Sequence, residues 1–180
     1  MLTSEEVLAF WFDELVPAQW FRRDPALDAE IAERFGACLQ AARRTELWGW
    51  RETPEGRLAE VVVLDQFSRN VHRDTPDAFA ADPLALGLAQ EAVARGDDAA
   101  LPPAWRAFLY MPFMHSESAA IHEQALRLFA QPGLEDNLRV ERRHRDIILR
   151  FGRYPHRNAI LGRVSTPEEL AFLAQPGSSF

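Results

Sequence analysis

Four dipeptides punctuate this chain: Asp24-Pro25, Thr53-Pro54, Asp82-Pro83 and Thr166-Pro167. Each places a side-chain oxygen able to cap free amides directly before a proline, whose fixed φ and missing N–H suit the first turn of a helix. Behind each start, apolar residues recur every three or four positions. Leu27, Ile31, Phe35, Cys38 and Leu39 follow the first; Leu58, Val61 and Val62 the second; Leu84, Leu88, Ala92 and Val93 the third; Leu170, Phe172 and Leu173 the fourth. The run Val61 to Leu64 has strand propensity, but its neighbours keep helical spacing and no turn-bounded partner strand accompanies it.

The rest of the chain repeats the pattern. Thr3 and Glu6 have the spacing of a capping box, predicting a helix over about 4–14 that stops near Pro17. A short helix is expected from Trp105 to Met111, interrupted by Pro112, then a longer one from Ser116 to Phe129 with His115 or Ser116 as its cap. Another runs from Glu135 to Gly152, Tyr154-Pro155 marks a turn, and Pro176 to Ser179 reads as a frayed tail. Eight or nine amphipathic helices with no sheet must bury their apolar faces against one another, so the expected class is all-α, built as a compact array of antiparallel helix pairs. At 180 residues and 47% hydrophobic, the chain suits a single helical domain, 1–180.

Charge narrows the function classes. The net charge is −7, every positive side chain is arginine, and no aromatic-basic interleaving is present, so nucleic acid is not an expected partner. Cys38 is the single cysteine, which leaves no intrachain disulfide, redox pair or cysteine zinc site. No 18-residue apolar run or basic leader is present, and the expectation is a cytoplasmic protein that is not a membrane partner, with no cofactor and no metal assigned.

Three polar clusters carry what chemistry the chain has. Asp65, Arg69 and Arg73 lie four apart, giving two possible ion pairs along a helix, with Gln66 and Asn70 beside them as an amide pair. The ordinary reading is an ion-paired helix face; the functional one is ligand contact by Arg69 or Asn70. In the second cluster, His115 is the side chain best suited to proton transfer near neutral pH, with Glu117 as its carboxylate. His115 and Glu117 could equally serve the helix start, and Ser116 lacks an evident base. His115 and His122, seven apart, fall outside the spacing that places two imidazoles on adjacent turns, so a metal scheme with Glu117 or His144 is disfavoured. The third cluster, Asp136 to Arg163, holds eight arginines against three acidic residues, a local +5. Those arginines either pair with the acidic remainder or form an anion site in which Arg153, His156, Arg157 and Asn158 converge around the Gly152 and Pro155 turns.

With these residues in view, the chain resembles the bacterial and fungal family known as domain of unknown function 924. The matching stretches are Val7 to Phe12, Trp20-Phe21, Leu64 to Asn70, Phe108 to Glu117, Arg150 to Arg163, and Ser165 to Glu169. The chain departs from the family pattern at Ser68, where proline is common, at Met114, where glutamate is common, and at Tyr154, where phenylalanine is usual. The resemblance implies a tetratricopeptide-like superhelix with a concave groove and supplies no catalytic role. The combined expectation is a binding module whose inner face gathers Asp65, Arg69, Asn70, Arg153, His156, Arg157 and Asn158 around a small anionic molecule or acidic peptide. The alternatives are a small-molecule enzyme, a hydrolase using His115 and Glu117 for proton transfer, and a purely structural scaffold.

Overall fold

The computed structural model describes residues 2–180. Its helices are α1 (Ser4–Ala9), α2 (Pro17–Trp20), α3 (Pro25–Arg43), α4 (Pro54–Val62), α5 (Ser68–Val71), α6 (Asp82–Arg95), α7 (Pro103–Met114), α8 (Ala119–Phe129), α9 (Glu135–Phe151) and α10 (Pro167–Leu173). There is no strand among the described residues, and the Val61 to Leu64 run is helical. Asp24 caps α3 by accepting from the Ala26 and Leu27 amides, Thr53 caps α4 through Gly56, and Thr3 and Thr166 form capping boxes with Glu6 and Glu169.

The centre of the fold is α4. Every residue from Gly56 to Val62 is buried, and α1, α6 and α7 pack around it. That surround explains the unbroken apolar run: a helix enclosed on most sides has no polar face to show. Gly56 is required here, because a Cβ at this position would lie 2.0 Å from the Trp50 carbonyl oxygen. Of the two charged residues buried in α4, Arg57 faces Asp97 and Glu91 at 3.1 and 3.2 Å, and Glu60 accepts a bidentate pair from Arg51 at 2.6 and 2.7 Å. Around α4 the aromatic residues Phe10, Trp11, Phe35, Phe67 and Phe108 interlock edge to face or tilted, each contributing roughly 2–3 kcal/mol of burial.

Local signals misplace several details. Pro112 does not interrupt α7, which runs through it to Met114; the buried flanks Ala107 to Met114 hold the helix by tertiary packing although one backbone hydrogen bond is missing. Neither His115 nor Ser116 caps α8. His115 ends α7, the residue before α8 is Ser118, and Ser116 Oγ accepts from the Ser118 amide. Pro17 does not merely stop a helix but opens α2, held by the Trp20 indole N–H donating to the Trp11 carbonyl at 2.8 Å. The tail is docked rather than frayed: Ser178 Oγ donates to the Leu173 carbonyl, and the Phe180 ring packs against His144 and His156.

Two wider, π-type turns occur, at Phe10–Glu14 after α1 and at Val63–Phe67 between α4 and α5. Each admits an extra residue per turn and so re-aims the side chains that follow. The second contains Asp65.

Candidate functional site

A cleft of about 360 Å³ opens where the start of α6 meets the α7–α8 junction and the turn after α9. Pro76, Phe79, Pro83, Leu86, Pro112 and Leu161 supply its apolar wall. Asp82, His115, Ser116, Glu117 and Arg157 supply the polar lining.

Beneath that lining lies Asp65, 1% exposed. Placed by the π-type turn at the end of the central helix, its carboxylate accepts from His115 Nδ1 at 2.7 Å, from Gln66 Nε2 at 2.6 Å, and from Arg69 at 3.2 Å. Burial alone would raise the Asp65 pKa, but Arg69 and His115 outweigh it and hold the carboxyl well below the usual range. For His115 the balance runs the other way. Burial and the Arg69 charge lower its pKa despite the Asp65 carboxylate, so the ring is neutral at pH 7. A neutral ring donating from Nδ1 carries a lone pair on Nε2, which has no protein partner among the described residues.

Arg69 spans the site. It donates to the Asp65 carbonyl at 2.8 Å and grips Asp82 with two nitrogens at 2.9 and 3.0 Å. Asp82 is therefore not the cap of α6 that its Asp-Pro dipeptide suggests. The residue before α6 is Ala81, and Asp82, the first helical residue, turns its carboxylate to the arginines. On the other side of Asp82, Arg157 makes one contact at 3.4 Å and donates to the His115 carbonyl at 3.0 Å. The Arg157 guanidinium stacks on Phe79 and Tyr154, 4.5 and 4.8 Å from the ring centroids. It is only 7% exposed, and its Nε has no hydrogen-bond partner.

The structure thus brings Asp65, Arg69, His115 and Arg157 together across 92 residues of sequence, and adds Asp82 and Phe79, which sequence reasoning missed. Glu117 lines the same cleft but does not bond to His115. Its carboxylate is taken by Arg163 at 2.7 and 2.9 Å and by the Tyr154 amide at 2.7 Å, which lowers its pKa against the effect of burial. His115's carboxylate partner is Asp65.

The remaining expected residues serve neighbouring networks. Asn70 donates to Asp28, which also accepts two bonds from Arg73, so neither the Gln66–Asn70 pair nor the Asp65-to-Arg73 series extends along the helix. Arg153 grips Glu169 at 2.7 and 2.8 Å, and Asn158 bonds Arg163, Ser165 and Glu169. His156 sits beside Arg157 with Nδ1 buried and unpartnered, and burial lowers its pKa to about 4.

His122 is buried between Glu141 (2.6 Å) and the Ser116 carbonyl (2.8 Å), a structural position that fixes the cleft segment. The described residues contain no group of three or more side chains suited to a metal ion. No helix is long and apolar enough to cross a membrane.

Six of the eight arginines between residues 136 and 163 make ion pairs, to Asp136, Glu123, Glu168, Glu169, Asp82 and Glu117. The local positive charge is thus largely spent on carboxylates, and Arg157 is the one of these arginines that lines the cleft.

A search of curated proteins finds no match to this chain. A solved structure of a protein of unknown function from Agrobacterium tumefaciens is 43% identical, covers 95% of this chain and 96% of its own, and superposes with a TM-score of 0.90. The profile of the family described as "Bacterial protein of unknown function (DUF924)" matches residues 7–177. With 171 of 180 residues matched, the chain belongs to that family.

Proposed function

We propose that the cleft binds a small anionic ligand through Arg157 and that the protein is a helical binding module for it. What carries this reading is the incomplete pairing of Arg157. Arg69, Arg153 and Arg163 each fork onto a carboxylate at 3.0 Å or less, whereas Arg157 has one carboxylate contact, at 3.4 Å, beside its bond to the His115 carbonyl, and a buried Nε without a partner. A desolvated guanidinium with unused donors is costly, and burial lowers its pKa accordingly. A ligand carboxylate or phosphate in the cleft would supply the close anionic acceptor that Asp82, at 3.4 Å, does not. The charges of Asp65, Asp82 and Glu117 balance those of Arg69, Arg157 and Arg163, so recognition rests on direct hydrogen bonds rather than a long-range field. A cleft near 360 Å³ suits a small molecule better than a peptide.

The same proposal takes residues 1–180 as one domain, supported by the continuous core shared by α1 to α8. The short α7–α8 and α8–α9 connections favour antiparallel pairs of the tetratricopeptide-like kind, and the lone buried thiol of Cys38 suits a cytoplasmic setting.

Thermal unfolding tests the site. Inorganic phosphate is expected to stabilise the protein beyond chloride at matched ionic strength, by about 1.4 kcal/mol at ten times Kd. Arg157→Gln should abolish the difference, while Arg153→Gln, whose partner Glu169 lies outside the cleft lining, should keep it. Equal responses to the two anions, or an unchanged response in Arg157→Gln, would overturn the reading.

A further inference from the structure

We propose that Asp65 and His115 form a general-base pair in this cleft and that the pair hydrolyses a small ester carrying a carboxylate. The inference rests on the anion-site reading for where the substrate is held, and adds what is done to it.

Three observations point to the chemistry. The first is the orientation of the imidazole: Asp65, buried and anchored by Arg69 and Gln66, accepts the Nδ1 proton at 2.7 Å and thereby fixes the tautomer whose Nε2 is a free base. The second is the link between base and anchor, since Arg157, from the turn after α9, donates to the carbonyl of His115 itself at 3.0 Å and so ties the cation to the residue that carries the base. The third is an unused donor between α7 and α8, two residues after His115. The backbone amide of Glu117 makes no hydrogen bond among the described residues, while its neighbours at Ser116 and Ser118 do. A base, a cationic anchor and an open amide donor are what addition of water to a carbonyl calls for.

In the proposed step, the oxygen of a water molecule attacks the ester carbonyl carbon while one of its O–H bonds breaks and the proton passes to His115 Nε2. The tetrahedral adduct carries the negative charge on the former carbonyl oxygen. Its collapse breaks the bond to the alkoxy oxygen, which takes the proton back from Nε2, releasing an alcohol and a carboxylic acid and restoring the neutral imidazole. His115 is the catalytic residue and Asp65 a positioning residue.

The test compares 4-nitrophenyl acetate with mono-4-nitrophenyl succinate, which adds a free carboxylate. Wild-type protein is expected to prefer the succinate at least tenfold in kcat/KM, with inorganic phosphate competing, and His115→Gln to lose more than a hundredfold on it. The pH profile of kcat/KM should rise to a plateau with an apparent pKa below 6.5. Asp65→Asn should lower kcat at least tenfold with KM within about twofold, and shift that pKa further down, because the carboxylate that favours the imidazolium is gone. Should Asp65→Asn fail to fold, long-range ¹H–¹⁵N spectra of the wild-type protein at pH 7 decide the pairing by themselves: His115 as the neutral Nδ1–H tautomer supports it, and the Nε2–H tautomer overturns it. No His115-dependent turnover of either ester overturns the general-base pair, even where phosphate still stabilises the protein through Arg157. Turnover that depends on His115 but shows neither succinate preference nor phosphate competition overturns the carboxylate-ester assignment together with the anion site.

Discussion

Ser68 sits fully buried at the start of α5 with a hydroxyl that finds no partner. A buried hydroxyl without a partner has given up its hydrogen bonds to water for nothing in return, so Ser68→Ala is expected to raise unfolding free energy by about 1 kcal/mol, read as a higher urea midpoint at constant m-value. Part of the candidate site's composition was legible in the sequence. Arg69, His115 and Arg157 stood out because strong donors and an imidazole are scarce next to core segments. Asp82 was not legible, because an Asp-Pro dipeptide has a sufficient local explanation as a cap; only the fold reveals that Arg69 and Arg157 compete for its carboxylate. Glu117 shows the same blindness in reverse: adjacency to His115 suggested a pair, yet its carboxylate turns to Arg163, 46 residues away.

Helices owe their ends to short-range chemistry, and there the sequence was a good guide. Asp24 and Thr53 accept the amides that their positions promise. Asp24→Ala and Thr53→Ala should each cost about 1 kcal/mol, and the double variant about their sum, since the caps share no partner. Calorimetric or urea unfolding of the three variants checks this, and strong non-additivity would count against independent caps. What the sequence could not disclose is the continuity of elements. Pro112 within α7 and the π-type turn at Val63–Phe67 both contradict local preference, and both persist because the surrounding core compensates for imperfect backbone bonding. The turn at Val63–Phe67 bears directly on the site, since it sets where Asp65 points.

The whole molecule carries a pH dependence that follows from its histidines. His144 and His156 are held neutral by burial, with pKa values of about 3 and about 4, and His115 is lowered in the same direction. The unfolded chain takes up protons at these residues as pH falls below about 6.5, whereas the folded chain does not. Stability is therefore complete above about pH 7 and falls through pH 6.5 toward 4, by on the order of 4 kcal/mol by pH 4.5. Urea unfolding across this range measures it, and His144→Gln/His156→Gln should flatten the slope. Glu141, raised by burial, acts in the opposite sense and moderates the loss.

The segregation of charge along the chain has a further consequence, in the order of synthesis. Residues 1–135 contain 12 arginines against 22 acidic residues, a net −10, and the arginine-rich stretch leaves the ribosome only after them. Until it arrives, Glu117 and Glu123 have no counter-ions, Asp82 lacks Arg157, and the floor of the cleft has no roof. Residues 1–135 by themselves are thus a self-repelling polyanion. Residues 136–163, net +5, then dock as a tethered cationic segment that offsets part of that charge, and their arrival closes the cleft.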